Sequence, residues 1–185
     1  YNNQWFLFYH NSAYSPKFDK NRSVCIDSLS FNEDGTIRKV IPTNRGVGIT
    51  VATARIEIDR YSQVSPAGVT VALIDTTDTF RGWYATLSGQ NSWISYNAVD
   101  FGSKKLKSVR VNASSLTGGV IQIRLDNPDG LLIAEIEIPK NATLSTLDAK
   151  LKKYKKGIHN MFVVFSDGNP VNIDWVQFGK QSKGI

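Results

Sequence analysis

The stretch Val171-Asn172-Ile173-Asp174-Trp175-Val176-Gln177-Phe178 alternates with the period of a strand, yet it carries a carboxylate at its middle, directly before a tryptophan. Asp is disfavoured inside strands, so Asp174 asks for a partner. Alternation sets Ile173 and Trp175 on one face and Asn172, Asp174 and Val176 on the other. In Ser92-Trp93-Ile94-Ser95-Tyr96 the same parity sets Trp93 and Ser95 on one face and Ile94 and Tyr96 on the other. A tryptophan that shares its face with a serine is odd for a side that meets a core. Catalytic sets are not evident. The two histidines, His10 and His159, stand alone, no Ser-His-Asp arrangement is visible, and the Gly-containing stretch 82–90 has no helix start after it to hold a phosphate.

The elements that must position these residues are short strands. "IQIRL" places Ile121, Ile123 and Leu125 on one face with Gln122 and Arg124 opposite, and "IAEIEI" places Ala134, Ile136 and Ile138 inward with Glu135 and Glu137 outward. "MFVVF" at 161–165 is a continuous apolar run, as for a central strand. Turn signals separate them at Gly118-Gly119, at Asn127-Pro128-Asp129-Gly130 and across 166–170. Strands at this spacing predict an all-β fold, a β-sandwich. In "LDAKLKKYKK" the residues Leu147, Leu151 and Tyr154 recur at helical spacing, which leaves helix open there as an alternative. The first fifty residues read differently. "QWFLFYHNS" is an aromatic strand, and "SVCIDSLSFNEDGTI" reads as two strands around a turn at Asn32-Glu33-Asp34-Gly35. Such strands cannot bury their own faces alone and are expected to be part of a larger sheet. "PTNRGVG" at 42–48 reads as a boundary or linker.

The chain has 185 residues, 41% of them hydrophobic, and a net charge of +6. That is a globular composition, and the mild positive charge is a weak argument for nucleic acid, which is not expected as a partner. No apolar run reaches the length of a membrane span, so no membrane contact is expected. The single cysteine, Cys25, allows no internal disulfide. The sequence begins at Tyr1 without Met or a signal segment, which suggests a processed product or a piece of something longer.

Five segments in order, "IEIDRYSQ", "SWISYNAVDFG", "GGVIQIRLDNPDGLLIAEIEIP", "GIHNMFVVF" and "NIDWVQF", resemble the family 6 carbohydrate-binding modules over about residues 53–180. Residues 4–45 resemble the C-terminal blade of the five-bladed propeller of family 43 glycoside hydrolases, of the arabinofuranosidase or xylosidase type. The resemblance implies a jelly-roll type β-sandwich preceded by a short propeller-end β-segment. It divides the chain into 1–47, a propeller fragment plus linker, and 48–185, the sugar-binding module. It also implies a polysaccharide or oligosaccharide ligand such as xylan, arabinoxylan or a related β-glycan, an upstream hydrolase catalytic domain as partner, and a secreted, periplasmic or cell-surface setting. Glycoside hydrolysis needs two carboxyl groups flanking the bond, and in family 43 they lie on earlier blades, so this chain itself is expected to be non-catalytic. The alternative is a structural domain that packs on and stabilises such an enzyme, its sugar sites lapsed.

The resemblance assigns residues as well. It implies a structural Ca²⁺ held by Glu57, Asp59 and Asp174, with a backbone carbonyl near Arg81 completing the shell. Glu57 and Asp59 are two apart and share a strand face, and three crowded carboxylates need a cation. Asp59 stands where the family usually has Glu, and the other reading is three solvated surface acids. For sugar, one family site is a loop clamp with an Asn, here Asn172. Its two aromatic walls fall at Asn141 and near Thr86 or Leu87, with Trp83 and Tyr84 as substitutes for one wall or else simply strand packing. The second family site, a concave sheet face, maps to Trp93, Ser95, Gln63 and Gln122, the other reading of Trp93 being packing against a loop or an attached domain. Aromatic faces suit the apolar C–H patches of sugar rings, while hydroxyls need polar partners. The lysines at 140, 150, 152, 153, 155 and 156 admit an anionic polysaccharide, or else a solvated face.

Overall fold

The computed structural model describes residues 3–12, 14 and 22–179. The chain divides into two compact units, Tyr1–Gly48 and Ile49–Ile185.

In the first unit, β1 (Trp5–Asn11) and β2 (Ser23–Leu29) form an antiparallel pair in register from Trp5↔Leu29 to Asn11↔Ser23. The expected turn at Asn32–Gly35 is present, closed by Gly35 N–H donating to the Asn32 carbonyl at 3.1 Å, with Gly35 at φ 82. The expected strand after it shrinks to one bridge, Phe31↔Ile37. The hub of this unit is Asp27. It is buried and accepts from the Tyr9 hydroxyl at 2.5 Å, from Thr43 N–H at 2.9 Å and from the Thr43 hydroxyl at 2.6 Å. Burial first, and then the Asp27 carboxylate, push the Tyr9 hydroxyl well above its ordinary pKa. Thr43, in the expected linker, is therefore tied back to β2.

The second unit is a sandwich of two sheets. Sheet I has the order β11-β10-β13-β8-β3, formed by β3 (Thr50–Val51), β8 (Trp93–Asp100), β10 (Gly119–Leu125), β11 (Leu131–Ile138) and β13 (Ile158–Gly168), with β5 (Gln63–Val64) also on β8. Sheet II has the order β12-β9-β14-β7-β6, formed by β6 (Val69–Leu73), β7 (Trp83–Leu87), β9 (Ser108–Ser115), β12 (Asn141–Lys150) and β14 (Val171–Gly179), with β4 (Ile56–Glu57) also on β14. Among the described residues only β3 pairs in parallel, against β8. Period-2 alternation builds the core: Ile121, Ile123, Leu125, Ala134, Ile136 and Ile138 are all buried from sheet I, as the sequence predicts, and Val109, Val111, Val171, Ile173, Val176 and Phe178 face them from sheet II. "MFVVF" lies in β13, the middle strand of sheet I. Within the core the Tyr96 hydroxyl donates to the Ile58 carbonyl at 2.6 Å, so its polar tip is satisfied.

"LDAKLKKYKK" is not a helix. Leu147 lies in β12, paired with Val111, and residues 151–156 form an irregular loop. The helical spacing arises because Leu147, Leu151 and Tyr154 each pack on the same core, first from a strand and then from a loop crossing it.

A candidate sugar face and an acidic knot

The outer face of sheet I collects the expected sugar residues. Register aligns Gln63 with Ser95, Ser95 with Phe162 and Phe162 with Arg124. The neighbouring row runs Trp93, Val164, Gln122, Glu135. With Ile94 and Tyr96 buried inward, Trp93 projects outward and stays half-buried. Phe162 meets it edge to face, ring centroids 5.4 Å apart at 66°. Beside the rings runs a chain of polar contacts. Arg124 Nε donates to Gln122 Oε1 at 2.9 Å, Gln122 Nε2 donates to Glu135 Oε2 at 2.8 Å, and Arg124 Nη1 donates to the Gly130 carbonyl at 2.8 Å. Arg donates only and a carboxylate accepts only, so the Gln122 amide has one orientation. A fixed apolar ring surface next to fixed donors and acceptors is what a sugar ring requires. Ser95 departs from expectation. It is 2% exposed, covered by β5, and its hydroxyl donates to the Gln63 carbonyl at 3.2 Å. As placed it is buried and its hydroxyl is used within the sheet, so it offers no contact to a ligand. Phe162, Arg124 and Glu135 were missed. Outward parity in "IQIRL" and "IAEIEI" already marked Arg124 and Glu135, whereas Phe162 was hidden in an apolar run with no alternation.

The loop clamp is not assembled. Asn172 is half-buried, and its Oδ1 accepts from the Thr86 hydroxyl at 2.7 Å. Leu87 is fully buried in the core. The Asn141 side chain closes its own turn, accepting from Thr143 N–H at 3.0 Å and donating to Ser145 Oγ at 3.3 Å. Trp83 and Tyr84 lie on opposite faces of β7: Trp83 shares the inward parity of buried Ala85 and Leu87, and Tyr84 shares the outward parity of Thr86.

Asp174 sits at a β-bulge. β14 pairs Ile173 with Ala113 and then Trp175 with Asn112, so Asp174 is the extra residue. The bulge corrects the simple alternation: Ile173 and Val176 both face the core, and Trp175 turns out of it. The bulge is also where the edge of β14 changes partner, from β7 at Val171–Ile173 to β4 at Trp175–Val176, with Ile58 N–H donating to the Asp174 carbonyl at 2.8 Å. Glu57 lies opposite Trp175. Arg55 reaches across this knot, with Nε 2.8 Å from Glu57, Nη2 3.3 Å from Asp174 Oδ2, and its guanidinium 5.2 Å from the centre of the Trp175 ring. Arg60 Nε is 3.7 Å from Asp59.

The charge is not fully balanced. The Asp174 carboxyl is pushed up to about 6, mainly by burial; Arg55 pulls it down while Glu57 and Asp59 push it further up. Burial also raises Asp59, offset in part by Arg60. In donor chemistry, then, Glu57, Asp59 and Asp174 fit a hard cation that takes carboxylate oxygens. In the arrangement seen, no three acidic, histidine or cysteine side chains among the described residues are gathered closely enough to share one ion, and Arg55 bridges Glu57 and Asp174 instead. The Arg81 side chain turns away to Asp75 at 3.4 Å, and only its backbone remains a candidate.

His159 is a strut. Nδ1 lies 3.0 Å from Asp126 Oδ2, and Nε2 lies 2.8 Å from the Lys155 carbonyl.

A family model described as carbohydrate binding module (family 6) matches residues 65–180. The chain is 27% identical to an arabinoxylan arabinofuranohydrolase of Paenibacillus polymyxa over 199 residues, covering 100% of this chain and 31% of that protein. It superimposes with a TM-score of 0.67 and 27% identity on the crystal structure of a glycoside hydrolase family 43 arabinoxylan arabinofuranohydrolase from Bacillus subtilis in complex with cellotetraose, covering 97% of this chain and 39% of that one. A family 6 carbohydrate-binding module from Clostridium cellulolyticum, in complex with xylose, matches 71% of this chain and 100% of its own with a TM-score of 0.60 and 27% identity. The chain thus spans about a third of the length of two arabinoxylan arabinofuranohydrolases it matches, 31% and 37%.

Proposed function

The chain belongs to the family 6 carbohydrate-binding modules, and from that premise we propose that it binds xylan, arabinoxylan or a related β-glycan on the outer face of sheet I. The observation that carries this reading is the Trp93–Phe162 ring pair beside the Arg124–Gln122–Glu135 polar chain. The rings take the apolar C–H side of a sugar, and Gln122, Glu135 and Gln63 take its hydroxyls. An open sheet face suits internal segments of a chain better than chain ends. Affinity is expected at about 10 μM to 1 mM, since few contacts must offset the ordering cost of association. Calorimetric titration of the chain and of Trp93→Ala against xylo- and cello-oligosaccharides tests it.

The same reading makes the chain the non-catalytic part of a larger secreted or cell-surface family 43 enzyme acting on arabinoxylan. Its support is the match of both units to the arabinofuranohydrolases and the nature of the polymer, which is too large to enter a cell. Among the described residues no helix is long and apolar enough to cross a membrane. The unassembled loop clamp favours a second reading, in which the module only packs on and stabilises its enzyme; absence of any glycan binding by the whole chain would select it. For the acidic knot, the reading is that Glu57, Asp59 and Asp174, with a backbone carbonyl near Arg81, hold Ca²⁺, which supplies the positive charge that Arg55 supplies in part. The under-compensated carboxylates at Asp174 and Asp59 support it.

A further inference from the structure

Two lysine-rich loops meet at one end of the sandwich. The loop after β8 spans 101–107 and carries Lys104, Lys105 and Lys107; the loop before β13 spans 151–157 and carries Lys152, Lys153, Lys155 and Lys156, with Lys150 at its entry. All of these lysines are exposed. The loops are bound to one another. Leu151 N–H donates to the Lys107 carbonyl at 2.9 Å, Phe101 N–H to the Gly157 carbonyl at 2.9 Å, and Leu106 N–H to the Tyr154 hydroxyl at 3.0 Å. Lys152 N–H donates to the Ile133 carbonyl at 2.8 Å, and His159 ties the Lys155 carbonyl to Asp126. Lys140 is not part of the group: it lies between β11 and β12, where Ile138 pairs with Gly119 and Asn141 with Ser115, at the opposite end.

Neither loop contains an Asp or Glu, and among the described residues no ion pair involves a lysine. Like charges gathered on a pinned backbone repel one another in the folded state and raise the local potential. We propose that this end of the module is a binding surface for a polysaccharide that carries carboxylates, a uronic-acid-bearing chain. Two observations favour this over nucleic acid. The rings within the loops face inward: Phe101 is buried and Tyr154 packs on it at 5.4 Å, so neither loop presents a platform on which a base can stack. And β8 and β13, which carry Trp93 and Phe162, run directly into the two loops, so a glycan lying along them meets the neutral face first and the lysines next. Lysine, a hydrated point charge, suits carboxylates spread along a flexible chain.

This surface is separate from the neutral-sugar face, and the experiment separates them. The whole chain is titrated against polygalacturonate, neutral arabinoxylan and random-sequence single-stranded DNA at about 20 mM and about 300 mM NaCl, a span over which exposed charges become largely screened. The comparison is with two variants: Lys152→Glu/Lys153→Glu/Lys155→Glu/Lys156→Glu, and the milder Lys104→Gln/Lys105→Gln/Lys107→Gln. Expected is polygalacturonate binding that weakens at least about tenfold at the higher salt and about as much in either variant, with arabinoxylan binding unchanged and DNA bound more weakly than polygalacturonate. Failure of arabinoxylan to bind the wild type counts against the sheet-face reading alone. Polygalacturonate binding that is absent, or that survives both variants, overturns the proposal, and DNA bound as tightly as polygalacturonate shows a general polyanion surface and overturns it too.

Discussion

Trp93 and Phe162 stand on neighbouring strands of the outer face of sheet I, their rings edge to face at 5.4 Å. Neither is needed for the core, which Ile94, Tyr96 and Val163 fill from the other side of the same strands. Two rings spent on an outer face make a platform with a corner. Phe162→Ala removes one side of it and is expected to weaken glycan binding about three- to tenfold while the melting temperature shifts little, in keeping with about 0.5–1.5 kcal/mol for an aromatic contact. Calorimetry and a thermal melt of the same sample check both parts.

Arg124 acts through Gln122. Its Nε holds the Gln122 carbonyl oxygen, which leaves the amide nitrogen to Glu135. Arg124→Ala frees that amide to turn, so binding is expected to fall by about the same factor as in Gln122→Ala, and the double variant to be no worse than either single one, as for groups in one network. Additive losses would show that Arg124 and Gln122 work independently.

At the acidic knot, Ca²⁺ that binds the folded chain and not the unfolded one raises stability by mass action, by about 2.7 kcal/mol at a hundred times its Kd. Chelation with EDTA is expected to lower the melting temperature by several degrees, added Ca²⁺ to restore it, and Asp174→Asn to remove the response. An unchanged melt with no calcium by elemental analysis would leave Arg55 as the resident cation.

Tyr96 links β8 to the segment beside that knot through its bond to the Ile58 carbonyl, whose own N–H meets Asp174. Tyr96→Phe leaves a buried carbonyl unpaired and is expected to cost about 1–3 kcal/mol, read by urea denaturation. Ile123→Ala, which opens a cavity among fully buried neighbours, is expected to cost about 2–5 kcal/mol.

The sandwich was legible because alternation is a local signal: "IQIRL", "IAEIEI" and "SWISY" each put the expected side chains in the core. What alternation cannot carry is a change of phase. The bulge at Asp174 adds one residue to β14 and reverses the face of everything after it, so alternation alone groups Trp175 with Ile173 although the two face opposite ways. Tertiary packing hid the loop at 151–156, where hydrophobic spacing matched a helix by coincidence. On the sheet face, parity identified Trp93 and Gln122, but the burial of Ser95 under β5 and the contact of Phe162 depend on strands brought from elsewhere in the chain. The grouping of lysines failed for the same reason: Lys140 and Lys150 are near in sequence and lie at opposite ends of β12.

The central claim is that sugar binds on the sheet face rather than in the loops, and one measurement separates the two. Trp93→Ala and Asn172→Ala are titrated calorimetrically against xylo- and cello-oligosaccharides, with the intact chain as reference and a melt to confirm folding. Trp93→Ala is expected to abolish binding and Asn172→Ala, whose side chain is occupied by Thr86, to leave it within about twofold, a difference well under 1 kcal/mol. Loss of binding in Asn172→Ala with retention in Trp93→Ala would contradict the account and place the sugar in the loops beside Tyr84.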